Sequence, residues 1–279
     1  LRILDGSAVI LDLNQMGFEP KQLEQMRRAT SSSYGLVFLT GPTGSGKTTT
    51  LYAILSEIMS PAKNIITIED PVEYKLEGVN QVQIKPDIGL TFANALRSFL
   101  RQDPDIMLVG EVRDLETAEI CIRSALTGHL VLSTLHTNDA PSAITRLMDI
   151  GIEPYLISPS LLCVVAQRLV RKLCPDCKEA YEPHPEQLGG IKFKADLIYK
   201  PKGCANCNQI GYRGRCCVAE VMVIDVKIRD LITQRANFQK IREVARTTGM
   251  QTFFESAIKK VEDGITSLEE ALAVTLGVE

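Results

Sequence analysis

Three sets of residues in this chain have types and spacings that could do chemistry. The first is Gly41-Pro42-Thr43-Gly44-Ser45-Gly46-Lys47-Thr48, followed by Thr49, which fits the phosphate-loop pattern G-x-x-x-x-G-K-[ST] at every fixed position. Glycines let such a backbone turn its N–H groups inward, and a helix starting near Lys47 adds the positive end of its dipole. Lys47 is then placed to reach the β- and γ-phosphates of a nucleotide, and the Thr48 hydroxyl to bind Mg²⁺. The second set is acidic and basic: Glu69-Asp70 before Pro71, Glu111 after Gly110, and His136. The third is Cys174-Pro175-Asp176-Cys177 with Cys204-Ala205-Asn206-Cys207, two tight pairs of soft ligands suited to tetrahedral Zn²⁺.

The elements that must hold these residues follow from the apolar pattern. Leu36 to Leu39 reads as a short buried strand entering the loop, and Leu51, Ile54, Leu55, Ile58 and Met59 as one face of the helix leaving it. Ile65 to Ile68, Ile106 to Val109 and Leu130 to Thr134 read as further strands, and they run into Glu69-Asp70-Pro71, Gly110-Glu111 and Leu135-His136-Thr137-Asn138. In an open α/β sheet, ligands gather at the carboxyl ends of strands, so these loops are expected to share a crevice with the phosphate loop. Glycine at 110 stands where a Walker B aspartate is common. Glu111 or the Glu69-Asp70 pair must then supply the carboxylate near Mg²⁺, and Glu111 is placed to orient or deprotonate an attacking water. Phe92 to Arg101 reads as a helix with Arg97 and Arg101 opposite its apolar face, either solvated or reaching phosphate. Strands and helices alternating in this way predict a mainly parallel, doubly wound α/β core over residues 34–170.

Composition sets the outer limits. The chain has 279 residues, 45% hydrophobic and 23% charged, with a formal net charge of −3. These values argue against disorder and against a basic protein that coats nucleic acid. No apolar run reaches the roughly 18 residues needed to span a bilayer, and no leader opens the chain, so a soluble cytosolic protein is expected. The alternating start, Leu1 to Leu4, suggests a fragment of something longer, with residues 1–33 as a linker and the remnant of a preceding domain that holds a polar helix candidate at Pro20 to Arg28. Eight cysteines in a chain of this length, half of them in C-x-x-C pairs, favour a metal site over a disulfide scaffold or a redox pair. Residues 171–218 are thus expected as a tetracysteine zinc-binding subdomain. Cys216 and Cys217, and Cys121 and Cys163 in apolar helical contexts, read as packing residues. His184 says little. Residues 219–279 read as a helical subdomain, with stripes at Ile228-Leu231-Ile232 and Phe253-Phe254-Ala257-Ile258-Val261 and a capping-box signal at Ser267 to Glu270.

Taken together, Gly41 to Thr48, Ile68 to Tyr74, Leu100 to Asp105, Gly110 to Asp114, Gly128 to Asn138 and Ala166 to Arg171 resemble the secretion and pilus-assembly ATPases, often called GspE/PilB. The resemblance covers nearly the whole chain. It implies a RecA-like P-loop core working as a homo-hexameric motor of type II secretion or type IV pilus assembly, with ATP, Mg²⁺ and Zn²⁺. It makes Glu69 to Tyr74 an aspartate box, Gly110-Glu111 an atypical Walker B and Gly128 to Asn138 a histidine box. Glu111, Glu69 and His136 are then catalytic, and Arg97, Arg101 and Arg113 sense nucleotide or serve a neighbouring subunit. Retraction motors of the superfamily generally lack the four cysteines, so the likeness favours extension or secretion.

The implied partners are an inner-membrane platform protein and a cytoplasmic adaptor, which would hold the motor at the inner face of the bacterial inner membrane. A motor for DNA uptake or conjugation is the alternative, and a zinc-stabilised module that binds ATP without turnover is a third reading. Direct contact with nucleic acid is not expected, because no Lys/Arg stripe interleaved with aromatics is present.

Overall fold

Apolar runs without polar alternation form strands covered on both faces. The structure, a computed structural model, describes residues 11–183 and 193–275, so His184 and Leu1 to Leu4 lie outside the described residues. In chain order its strands are β1 (Gly35–Thr40), β2 (Ile65–Glu69), β3 (Asn80–Gln83), β4 (Ile106–Val109), β5 (Leu130–Leu135), β6 (Leu161–Leu173), β7 (Glu179–Tyr181), β8 (Ile198–Lys200) and β9 (Tyr212–Val223). Strands β1, β2, β4 and β5 are buried at every residue. Seven strands make one sheet in the order β3-β2-β4-β5-β1-β6-β9, and the pairings from β3 through to β6 are parallel.

The register decides where the functional loops emerge. Thr40 lies opposite Leu135, Val109 opposite Ser133, and Ile68 opposite Val109. The chain therefore leaves β1, β2, β4 and β5 on a single edge of the sheet, the carboxyl edge anticipated from the sequence.

The helices are α1 (Pro20–Thr30), α2 (Lys47–Ile58), α3 (Phe92–Phe99), α4 (Leu115–Leu126), α5 (Ala140–Ile150), α6 (Pro154–Ser160), α7 (Val226–Thr233), α8 (Phe238–Thr247), α9 (Phe253–Glu262) and α10 (Leu268–Thr275). Polar residues set their starts. The side chains of Thr91, Asp114, Asp139, Asp225, Asn237 and Thr252 each accept an N–H from the first turn of the helix that follows. Helix α2 is buried continuously from Thr50 to Leu55, wider than the apolar stripe expected for it. No helix among the described residues is long and apolar enough to cross a membrane.

The described residues fall into two compact units. The first is built on the chain up to Gln167 together with Val221–Met250; the second takes Arg168–Glu220 and the chain from Gln251 onward. The four cysteines and the β7-β8 hairpin belong to the second.

Several local features differ from the sequence reading, each for a physical reason. Helix α1 agrees with the polar helix candidate at Pro20 to Arg28, but it buries Leu23 and Met26 and is tied to α2 by an Arg27 Nε–Glu57 Oε1 pair at 2.5 Å, more than a linker needs. Helices α7 and α8 group with the first unit and α9 and α10 with the second, so the tail expected as one helical subdomain is divided. Cys163 sits in a strand, not a helix, because a continuous apolar run such as Leu161 to Ala166 carries no period that separates the two. Ser267 caps α10 by accepting the Glu270 N–H at 3.2 Å, but the Glu270 carboxylate turns to Arg171 instead of completing the box.

Candidate functional site

The phosphate loop spans the turn from β1 to α2, as its pattern requires. Lys47 Nζ donates to the carbonyls of Gly41 at 2.7 Å and Pro42 at 3.1 Å, so the ammonium lies folded over its own loop. Burial lowers the pKa of Lys47, and the charge of Glu111 partly offsets this. Gly41 must be glycine for steric reasons. A Cβ there would come within 2.4 Å of the Gln167 carbonyl oxygen and 2.9 Å of Ser45 Oγ.

Glu111, His136 and Arg113 are brought together at the next strand ends. Glu111 keeps 13% of its side chain exposed; Arg113 meets its Oε1 at 2.6 Å and His136 Nε2 lies 3.2 Å from its Oε2. Threonine and serine hydroxyls stitch the loops that carry them. Thr134 Oγ1 donates to the Gly110 carbonyl at 2.7 Å, Ser133 Oγ to the Val109 carbonyl at 2.7 Å, and the Val112 N–H to the Thr134 carbonyl at 3.0 Å. On the other side, the Thr137 N–H donates to Thr40 Oγ1 at 2.8 Å, tying the histidine loop to the last residue of β1. These hydroxyls escape a search for acids and bases, although Thr40, Ser133 and Thr134 all stand where apolar runs meet the motifs.

Glu69 has a different setting from Glu111. It is 3% exposed and accepts hydrogen bonds from Tyr52 Oη, from Thr67 Oγ1 at 2.5 Å and from Gln81 Nε2 at 3.3 Å. Burial, followed by the hydrogen bond to Glu69, pushes the Tyr52 phenol well above its ordinary pKa. Gln81 belongs to β3, a polar edge strand that lacks the β-branched run by which a strand is recognised. Asp70, next along, is exposed.

The expected arginines separate. Arg113 joins Glu111, while Arg97 on α3 pairs with Glu116 in the first turn of α4 and with Asn94 at 3.2 Å. Arg101 is exposed.

In the second unit, the Sγ atoms of Cys174, Cys177, Cys204 and Cys207 all lie within 4.8 Å of one another. The closest separations are 3.9 Å for Cys174–Cys204, 3.8 Å for Cys177–Cys207 and 3.7 Å for Cys204–Cys207. A tetrahedron with Zn–S bonds of about 2.3 Å has edges of about 3.8 Å, so the donor set fits that ion in number, type and spacing. Around it, the N–H groups of Cys204 and Gly211 each donate to Cys207 Sγ at 3.2 Å. Burial raises the Cys207 thiol, but these donors and the neighbouring thiols outweigh it and lower its pKa to about 6. Asp176 and Asn206, the third residues of the two C-x-x-C pairs, hydrogen bond to each other at 3.0 Å. The other four cysteines are buried, with the Cys121 and Cys163 thiols pushed up to about 12 by burial, which suits packing and not reactivity.

Comparison with known proteins agrees with this geometry. A family profile described as "Type II/IV secretion system protein" matches residues 1–273. The chain is 50% identical to the type II secretion system ATPase E of Vibrio cholerae serotype O1, covering 99% of this chain and 55% of that protein. It is 48% identical to the type IV pilus assembly ATPase PilB of Thermus thermophilus, covering 99% and 32%. Among solved structures it resembles the pilus retraction motor PilT with bound ADP, at 33% identity and a TM-score of 0.73, covering 99% of this chain and 69% of that one. The chain thus spans about half the length, or less, of the curated relatives it matches.

Proposed function

The chain belongs to the type II/IV secretion system protein family, and we propose that it is the ATP-hydrolysing part of a motor that drives pseudopilin or pilin assembly. The names of its relatives support this: secretion and pilus-assembly ATPases at about half identity. In the same reading the working form is a homo-hexamer on the cytoplasmic side of the inner membrane, held there by a platform protein and an adaptor.

The observation that carries the reading is Glu111. Its carboxylate is largely buried, bonded to His136 and Arg113, and close enough to Lys47 for its charge to act on that ammonium. In the proposed reaction the loop N–H groups and Lys47 hold the β- and γ-phosphates, and Lys47 exchanges its own loop's carbonyls for phosphate oxygens. Glu111 accepts a proton from the water that attacks the γ-phosphorus, and ADP leaves with the displaced electron pair. His136 keeps the carboxylate oriented, and Arg113 offsets its charge until substrate enters.

Thr48 and an acid at the strand ends would hold Mg²⁺, which would supply positive charge to the phosphates. We assign Glu69 to bracing the end of β2, because its oxygens already accept three hydrogen bonds. Arg97 and Arg101 are assigned to a neighbouring subunit's site. Cys174, Cys177, Cys204 and Cys207 are assigned to a structural zinc ion.

Hydrolysis by Glu111→Gln in the assembled motor tests the reading. Turnover should fall at least about 100-fold with ATP still bound; a wild-type rate would remove Glu111 from the chemistry.

A further inference from the structure

Gln167 takes no part in the roles above, yet it is the side chain that β6 offers to the phosphate loop. It is 1% exposed, and its Nε2 donates to the Ser45 carbonyl at 2.8 Å. Its own carbonyl oxygen lies against Gly41, at the point where a side chain on that residue would collide. One buried residue of β6 therefore shapes the loop at two places.

The side-chain contact is directional. In a planar trans peptide the C=O and N–H point opposite ways. Holding the Ser45 carbonyl toward β6 aims the Gly46 N–H away from β6. The amide cannot be reversed, because Oε1 against a carbonyl oxygen would place two acceptors together. Two further atoms mark the contact as unusual. Gln167 Oε1 and Ser45 Oγ are both buried without a hydrogen-bond partner among the described residues, and they belong to the two residues that this bond joins. Orphaned polar atoms of this kind are uncommon and costly.

We propose that Gln167 is the positioning residue of the phosphate loop, fixing the direction of the Ser45–Gly46 peptide so that the loop is set to receive a nucleotide's phosphates. The role rests on the nucleotide-binding reading above and adds a residue to it.

Two substitutions of similar length separate the outcomes. Gln167→Met removes the donor, and Gln167→Glu sets an acceptor against the Ser45 carbonyl unless its carboxyl is protonated. The loop's charged group is Lys47, and the β1 residues paired with this end of β6, Leu39 and Thr40, are uncharged. Binding of Mg·ATP to the intact chain by calorimetry, with melting temperature as the check on folding, gives the readout.

Kd should rise at least about 10-fold for Gln167→Met and further for Gln167→Glu at pH 8. Relative to wild type at the same pH, Gln167→Glu should regain affinity as pH falls to 6, when its carboxyl can donate, and Gln167→Met should not. In turnover, KM should rise more than kcat falls. Folded variants that bind within twofold of wild type overturn the proposal, and so does affinity lost only in step with melting temperature. A wild-type chain that fails to bind Mg·ATP instead removes the functional reading on which the role depends.

Discussion

The phosphate edge and the four-cysteine cluster, both proposed ligand sites, stand at different stages of readiness. At the cluster, the three shortest sulfur separations, 3.7 to 3.9 Å, match the edges of a tetrahedral site, and backbone N–H groups are aimed at Cys207. At the phosphate edge the main groups hold partners that the proposed substrate would have to displace. Lys47 is bonded to its own loop, and Glu111 is shared between Arg113 and His136. A site that only needs to hold an ion can be finished in advance; one that must turn over needs contacts that can be exchanged.

Removing metal should break the comparison on the cysteine side with the largest effect. Chelation, or Cys174→Ser, should cost the second unit several kcal/mol and loosen it to limited proteolysis. ATP binding by the first unit should stay within about twofold if the two sites are independent. Glu111→Gln is next, at about 3 kcal/mol or more in the barrier, the equivalent of the 100-fold loss in turnover. Tyr52→Phe sharpens the contrast between the two acids. It removes one donor from the buried Glu69 and should lower stability by about 1–3 kcal/mol, read by denaturant melts, while turnover per folded molecule changes little. Arg97→Ala should do least. It breaks an exposed pair and should shift stability by under about 1 kcal/mol, with hydrolysis by the isolated chain unchanged.

Much of the fold was legible because parallel strands buried on both faces leave unbroken apolar runs, and β1, β2, β4 and β5 all do. The polar edge strand β3 left no such run, and Leu161 to Ala166 left a run that a helix could equally use. The site was legible as a set of motifs, but the pairing of its charges was not. Arg113 meets Glu111 and Arg97 does not, because the folded paths of α3 and α4 put Glu116 within Arg97's reach first. Gln167 contacts a residue 122 positions earlier, a separation that no local pattern encodes. The cysteines were the easiest to read, since their spacing is local and their chemistry admits few alternatives.

Gly110 has a practical consequence for engineering. A Cβ at this position would come to 3.3 Å from Glu69 Cα and from the Ile68 carbonyl oxygen, both main-chain atoms that cannot swing aside. Repairing the chain toward the common Walker B pattern with Gly110→Asp would therefore wedge β4 from β2 and disturb the very edge it was meant to improve. At this point in the sheet an average over P-loop proteins is a poor template, and the acid one residue later is the one to vary.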